Sequence, residues 1–117
     1  MQLDERMAGD VVIVKVTGEI TLKKNRGTTL HDKVRSLVEQ GHTKVALDLA
    51  DVTYVDSAGL GELVQANATA KNHGGSLKLF RAGTRLQELL VITRLTSILG
   101  VYDDEAQALA SYDTASS

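Results

Sequence analysis

Extended and helical sequence patterns alternate along this chain, and the alternation restricts its fold more than any other feature. Residues 2 to 7 and Val11 to Thr17 flank the turn-forming segment Ala8-Gly9-Asp10, which predicts an opening hairpin whose second strand ends at Gly18. Beyond it, β-branched runs alternate with stretches of helical spacing. Strands and helices in this order predict an α/β fold, with a mostly parallel sheet, crossover helices and an N-terminal antiparallel hairpin strand at one edge.

Four helices and three further strands follow from the periodicity. The predicted helices cover residues 29 to 40, the stretch from Leu60 to Gly74-Gly75, residues 84 to 93, and Asp103 to Ser111. The predicted strands are Lys44 to Val55, Ser76 to Phe80, and Ile98 to Tyr102. Either Thr28 or Thr29 could cap the first helix. We expect a single domain over residues 1 to 113 and a frayed tail over residues 114 to 117.

The composition argues against several classes of function. The formal net charge is −2 with basic residues spread along the chain, and aromatic residues make up only 3%, so neither nucleic acid nor an anionic membrane is an expected partner. The chain contains no cysteine and no apolar run of membrane-spanning length, which favours the cytoplasm. A protein surface is therefore the expected partner.

The segment from Val52 to Gly61 is the most unusual part of the chain. A strand runs into Asp56 and Ser57, and then into a helix whose first turn contains Gly59 and Gly61. Each glycine costs a helix roughly 1 kcal/mol relative to alanine, which indicates that something approaches the backbone closely there. Either Asp56 or Ser57 could cap the helix. Functional groups in parallel sheets lie beyond the carboxyl ends of the strands, which favours the loops Gly18 to Leu22 and Tyr54 to Gly61.

A phosphate on Ser57 would have a defined physical effect. It would add about −1.5 to −2 charge at the positive end of a helix dipole, where anions are stabilised, so the fold should survive. Beside Asp56 and Glu19, the same dianion would disrupt an apolar or acidic contact with a partner. We therefore expect phosphorylation to change binding rather than structure.

The chain resembles a known family along nearly its whole length. The stretches Leu47-Asp48-Leu49 and Val55-Asp56-Ser57-Ala58-Gly59-Leu60-Gly61 resemble the phosphorylation motif of the STAS family, specifically of its anti-sigma-factor antagonists. Thr17 to Ile20, Gly74-Gly75, Leu90 to Leu95 and Tyr102 to Ala106 follow in the order typical of that family.

The resemblance implies partner switching rather than catalysis. In this family the unphosphorylated antagonist binds an anti-sigma factor that is also a serine kinase, phosphorylation releases it, and a metal-dependent serine phosphatase resets it. By position Ser57 is the phosphoacceptor. The implied partner-binding residues are Gly18, Glu19, Ile20, Thr21, Asp56, Ala58, Gly59, Leu60 and Gly61. Thr21 departs from the family, whose members commonly have an aspartate there, so the resemblance leaves the efficiency of phosphorylation and the kind of partner open.

The alternative within the same fold is a STAS scaffold or regulatory module of a stress-sensing or transporter complex, without sigma-factor control. Thr21 is the residue that favours it. Which sigma factor and signal are involved, and whether the chain self-associates, also stay open.

Other candidate sites have simpler explanations. His31, His42 and His73 lie far apart without cysteines, so we expect neither a metal site nor a cofactor. Asp48 is expected to be a structural carboxylate, and Lys23-Lys24-Asn25-Arg26 a solvated approach to a helix. The helical spacing places Leu60, Leu63, Val64 and Ala68 in the core.

Two enzyme-like motifs are incomplete. A hydrolase elbow needs a glycine where Val55 stands, and a dinucleotide fingerprint needs one where Val64 stands. We therefore expect no catalytic residue.

Overall fold

The computed structural model describes residues 2–21 and 29–116, with side chains as far as residue 112. Its strands are β1 (Gln2–Ala8), β2 (Val11–Ile20), β3 (Lys44–Val55), β4 (Ser76–Phe80) and β5 (Gly100–Tyr102). Its helices are α1 (Leu30–Glu39), α2 (Ser57–Asn72), α3 (Thr84–Ile92) and α4 (Glu105–Ser116), and a 3-10 turn occupies Leu95–Ser97. The sheet has the order β1-β2-β3-β4-β5, with β1 antiparallel to β2 and all later pairs parallel. The predicted fold class is confirmed.

The parallel strands follow one another across the sheet in sequence order, so every crossover runs in the same direction. Because such crossovers are nearly always right-handed, the connecting helices α1, α2 and α3 are expected on one face, and their buried residues share one core. The sheet contributes alternate residues of its strands to that core, among them Val12, Val14, Val45, Leu47, Leu77 and Leu79. Burying these aliphatic side chains is the main stabilising contribution to the fold.

The opposite face of the sheet is covered by α4. Val11, Ile13, Ala46 and Phe80 form a second, smaller core there with Ala108 and Tyr112 of the helix. The Tyr112 hydroxyl shares its single proton between the backbone carbonyls of Val45 and Ser76, on neighbouring strands. Burial raises the pKa of this hydroxyl above its ordinary value of 10.0. Tyr112 therefore joins α4 to β3 and β4 through both packing and hydrogen bonds.

Several boundaries differ from the prediction. β2 does not end at Gly18 but continues to Ile20, because Gly18 adopts a φ of 99° at a register irregularity and the strand pairs on beyond it. β5 is shorter than predicted because Ile98, the residue that caps the 3-10 turn, still precedes the strand. α4 begins at Glu105 rather than Asp103, and the Asp104 side chain before it accepts from the Gln107 amide at 2.9 Å. The helix continues to Ser116 rather than ending at Ser111.

Two further expectations are settled by side-chain placement. Thr29 rather than Thr28 caps α1, through a reciprocal pair of hydrogen bonds with Asp32. Those bonds from Thr29 hold the pKa of Asp32 below its ordinary value. On α2, Ala68 is exposed, so its assignment to the core was wrong, and Ala66 and Ala70 are buried instead. The basic run at residues 23–26 lies outside the described residues.

Within residues 2–21 and 29–116, none of the helices combines the length and the apolar character needed to span a bilayer.

The anchoring of α4 by Tyr112 predicts a measurable loss of stability when the hydroxyl is removed. Tyr112→Phe leaves two strand carbonyls without this donor and should lower the free energy of unfolding by about 1 kcal/mol in urea denaturation. Tyr102→Phe is the matched control, because Tyr102 and Tyr112 both lie beside the Lys78 ammonium, at 5.9 and 5.7 Å from the ring centres. Equal stabilities of the two variants would contradict this role for Tyr112.

The raised pKa of Tyr112 also predicts an alkaline effect. The folded state holds the proton more tightly than the unfolded state, so the resulting stability is present below about pH 10 and is lost as the pH rises further. Above that pH, the wild-type chain should lose stability more steeply than Tyr112→Phe in parallel denaturation series. If the free energy of unfolding falls equally with pH in the two proteins, Tyr112 does not cause the alkaline effect.

Candidate functional site

The two segments singled out in the sequence meet at the carboxyl end of the sheet. β2 and β3 stay paired to their ends, with Glu19 beside Tyr54 and Ile20 beside Val55. Asp56 and α2 follow directly after Val55. The pairing therefore places the end of β2 next to the start of α2, at the edge where parallel sheets carry functional groups.

Asp56, not Ser57, caps α2. Its backbone is extended, with φ −98° and ψ −178°, and its Oδ1 accepts from the Gly59 amide at 2.7 Å. Its carbonyl accepts from the Leu60 amide at 2.9 Å, which begins the helical hydrogen-bond pattern. Ser57 is then the first helical residue and is exposed. The hydroxyl of Ser57 is thus presented to solvent without serving as the helix cap.

The two glycines of the first turns have different surroundings. A Cβ on Gly59 would lie 1.9 Å from the Ile20 carbonyl oxygen, which is backbone of β2 and has little room to move. The close approach expected in the sequence analysis is therefore an approach of the protein to itself. A Cβ on Gly61 would meet no heavy atom within 4 Å among the described residues. Because Gly61 has no side chain, the backbone of α2 is open to contact beside Ser57.

The structure divides the candidate site residues by accessibility. Ser57 is exposed, whereas Gly18, Glu19, Asp56, Ala58 and Gly61 are partly buried. Ile20, Thr21, Gly59 and Leu60 are buried, and Thr21 is only 7% exposed. In this conformation the buried four shape the site from beneath. The exposed and partly buried residues form its surface, which we call the Ser57 surface.

Tyr54 adds an apolar group to the site: it begins the favoured loop Tyr54 to Gly61, but the resemblance does not imply it as a partner-binding residue. It is 49% exposed, so its ring is accessible at this end of β3. It borders a small cavity between the end of β3 and the start of α3, where Gly83, Arg85, Leu86 and Leu89 form the other wall. The sequence pattern of β3 predicts a strand that includes Tyr54. The cavity also depends on where α3 lies, and sequence periodicity does not predict that position.

Two buried polar residues of α2 were also missed as structural contacts. Glu62 accepts from the His31 amide near the start of α1 at 3.3 Å. The Asn67 amide donates to the Ile98 carbonyl at 3.2 Å, before β5. These contacts tie α2 to elements on both sides, so the helix that carries Ser57 is held in place along its length. In the sequence, the position of Glu62 and Asn67 on an otherwise apolar face of α2 could have indicated such buried contacts.

Three of the other candidates, Asp48, His31 and His73, have structural partners. Asp48 is buried, accepts from the Ala50 amide at 3.1 Å, and lies 3.8 Å from the Arg81 guanidinium. The His31 ring contacts the Thr69 hydroxyl at 2.7 Å, and the His73 ring contacts the Thr69 carbonyl at 2.9 Å. In the described part of the chain, no three histidine or acidic side chains cluster as metal ligands would.

Comparison with known proteins matches this architecture. The family model described as "Mlab, STAS domain" matches residues 3–100. The anti-sigma-B factor antagonist of Bacillus subtilis (strain 168) is 35% identical over 101 residues, which are 86% of this chain and 90% of that protein.

Solved structures share the fold at lower identity. An anti-sigma factor antagonist from Mycobacterium paratuberculosis aligns with a TM-score of 0.80 and 21% identity, over 94% of this chain and 92% of that one. The anti-sigma factor antagonist SpoIIAA in its unphosphorylated form aligns with a TM-score of 0.70 and 13% identity, over 97% and 98% of the two chains. Its phosphorylated form, from Bacillus, aligns with a TM-score of 0.67 and 15% identity, over 95% and 99%.

The contrast between the two glycines predicts opposite outcomes for the same substitution. Gly59→Ala should destabilise the fold, because the new methyl group would overlap the Ile20 carbonyl. Gly61→Ala should leave stability unchanged or raise it by up to about 1 kcal/mol, because alanine favours the helix and the space is open. Thermal and urea denaturation of the two variants provides the comparison. Equal effects would mean that the close contact does not limit position 59.

Proposed function

This chain belongs to the STAS domain family of anti-sigma factor antagonists, and we propose that phosphorylation of Ser57 switches it between two binding states. The unphosphorylated chain binds an anti-sigma factor that is also a serine kinase, which frees the sigma factor. The kinase then phosphorylates Ser57, and the chain is released. A metal-dependent serine phosphatase restores the first state. The chain acts by binding rather than by catalysis, in the cytoplasm, where sigma factors act on RNA polymerase.

The exposed Ser57 hydroxyl at the start of α2 is the observation that carries this proposal. Asp56 provides the helix cap, so modification of Ser57 leaves the capping hydrogen bond to Gly59 in place. The hydroxyl belongs to α2, which the buried contacts of Glu62 and Asn67 hold in place, so a kinase would meet a rigid target. Accessibility and freedom from a structural role are the two requirements for a reversible modification site.

A phosphate at this position is compatible with the fold. Ser57 is the first residue of a helix of 16 residues, where the helix dipole and the unpaired amides favour negative charge. The repulsion from the neighbouring Asp56 carboxylate is relieved by solvent because the site is exposed. The similarity of this fold to SpoIIAA in both its unphosphorylated and phosphorylated forms supports the same expectation.

The same phosphate would weaken a bound partner. The Ser57 surface carries the open backbone at Gly61 and the acidic groups of Asp56 and Glu19. The exposed ring of Tyr54 lies beside Glu19 on the neighbouring strand. A partner that fits closely against it would have to desolvate a dianion beside two carboxylates. Like charges brought together at an interface cost several kcal/mol, which is enough to release a partner.

Thr21 bears on the alternative of a scaffold in a stress-sensing or transporter complex. Its side chain is buried, so it does not itself form the surface that a kinase would meet. The departure from the family at this position therefore weighs less in favour of the scaffold than the sequence alone indicated. The identity of the captured partner distinguishes the two functions.

The direct test is capture of partners from cell extract by the immobilised chain, with and without ATP. We expect recovery of an ATP-binding serine kinase that modifies Ser57, and at least about ten-fold less recovery with Ser57→Glu or after phosphorylation. Ser57→Ala should retain the kinase in the presence of ATP. Circular dichroism of Ser57→Glu should match that of the wild type.

Ser36→Glu is the matched control, because Ser36 is exposed on the surface of α1. It should retain the kinase as the wild type does. Recovery of only transporter or stress-complex components, unaffected by ATP or by Ser57→Glu, would refute the switch and favour the scaffold.

A further inference from the structure

β1 is the edge strand at one side of the sheet, and β2 is its only neighbour in the described sheet. Its outer edge therefore offers backbone amides and carbonyls to another strand. Natural edge strands are commonly protected by charges that repel a second copy. The charges of β1 are Asp4, Glu5 and Arg6, and their order decides whether they repel or attract.

The side chains of β1 alternate between the two faces of the sheet. Leu3 packs against the core on the α1 side, and Glu5 lies 3.3 Å from Lys33 of α1. Met7 is on the same side and is 54% exposed. On the other side, Arg6 forms an ion pair with Glu105 of α4. Each face of the strand therefore carries a distinct set of side chains to the free edge.

Backbone geometry limits how two such edges can pair. In an antiparallel ladder, alternate residues direct both their amide and their carbonyl toward the same neighbour. When two copies of the β1 edge pair, an odd-numbered residue of one copy can therefore lie opposite only an odd-numbered residue of the other, and an even-numbered residue opposite an even-numbered one. A two-fold pairing of β1 with itself must centre on a residue, and the central choices are Asp4, Glu5 and Arg6.

Each of these registers sets two copies of its central charged residue opposite each other, so the flanking pairs distinguish them. Centring on Asp4 or on Arg6 sets Glu5 opposite Leu3 or Met7. Centring on Glu5 places Leu3 opposite Met7 twice and Asp4 opposite Arg6 twice. It also pairs the whole strand, Gln2–Ala8. The two Glu5 carboxylates that meet at the centre are each neutralised by Lys33 of their own chain, at 3.3 Å.

We propose that a second copy of this chain docks on the outer edge of β1, antiparallel and centred on Glu5, to form a continuous ten-stranded sheet. The apolar pair of Leu3 and Met7 covers the exposed Met7 side chain, and the Asp4 and Arg6 pairs set the register. Because one pair of strands buries little surface, the dimer is weak and forms at high protein concentration. This association is independent of Ser57 and of the proposed switch.

Sedimentation equilibrium up to about 1 mM chain measures the association directly. Asp4→Arg and Arg6→Asp should each weaken the dimer at least ten-fold, because each brings like charges together at both symmetric positions. Mixing the two variants should restore dimerisation to within about three-fold of the wild type, because opposite charges then face each other again. Restoration in the mixture also shows that both variants are folded.

Asp103→Arg is the matched control, since it reverses one exposed acidic charge directly after β5, at the other edge of the sheet, and should leave the dimer unchanged. Three results would overturn the proposal: a wild-type chain that stays monomeric throughout, a dimer that tolerates Asp4→Arg, or a mixture that associates no better than its components.

Discussion

The contact between the Gly59 backbone and the Ile20 carbonyl is the constraint on which the site depends. It allows the first turn of α2 to lie directly on the end of β2, at a distance that any side chain at position 59 would prevent. The strand pairing of Ile20 with Val55 supports that contact from below. The orientation of α2, and hence the exposure of Ser57, follows from a contact between two backbones rather than from any polar residue of the surface.

The elements of the fold were predictable because their periodicities are strong and local. Errors occurred where tertiary contacts decide. Gly18 predicts the end of β2, but a glycine with a φ of 99° can also let a strand continue past an irregularity. The spacing of Ala68 predicts burial, but the buried face of α2 follows Leu63, Ala66 and Ala70. Periodicity identifies an apolar face less sharply when small residues occur all around a helix.

The site was predictable to a different degree. The strand-to-helix passage at Asp56 and Ser57 could be identified because turn, cap and glycine chemistry are local, although only the structure distinguishes the cap from the exposed hydroxyl. Glu62 could not be assigned a role, because its partner is a backbone amide of α1 far away in sequence. The resemblance implies a partner-binding position for Thr21, but its burial depends on packing that one sequence does not reveal.

The sheet order has a consequence for how the chain acquires its structure. Each new strand joins beside the one that precedes it, so no strand has to insert between two that are already paired. Every addition closes a loop of modest length, which keeps the entropic cost of each step low. We therefore expect faster folding than for a parallel sheet of the same size in which a strand must insert between two others. The β2–β3 pair, which has the most extensive strand contact, is the expected early nucleus.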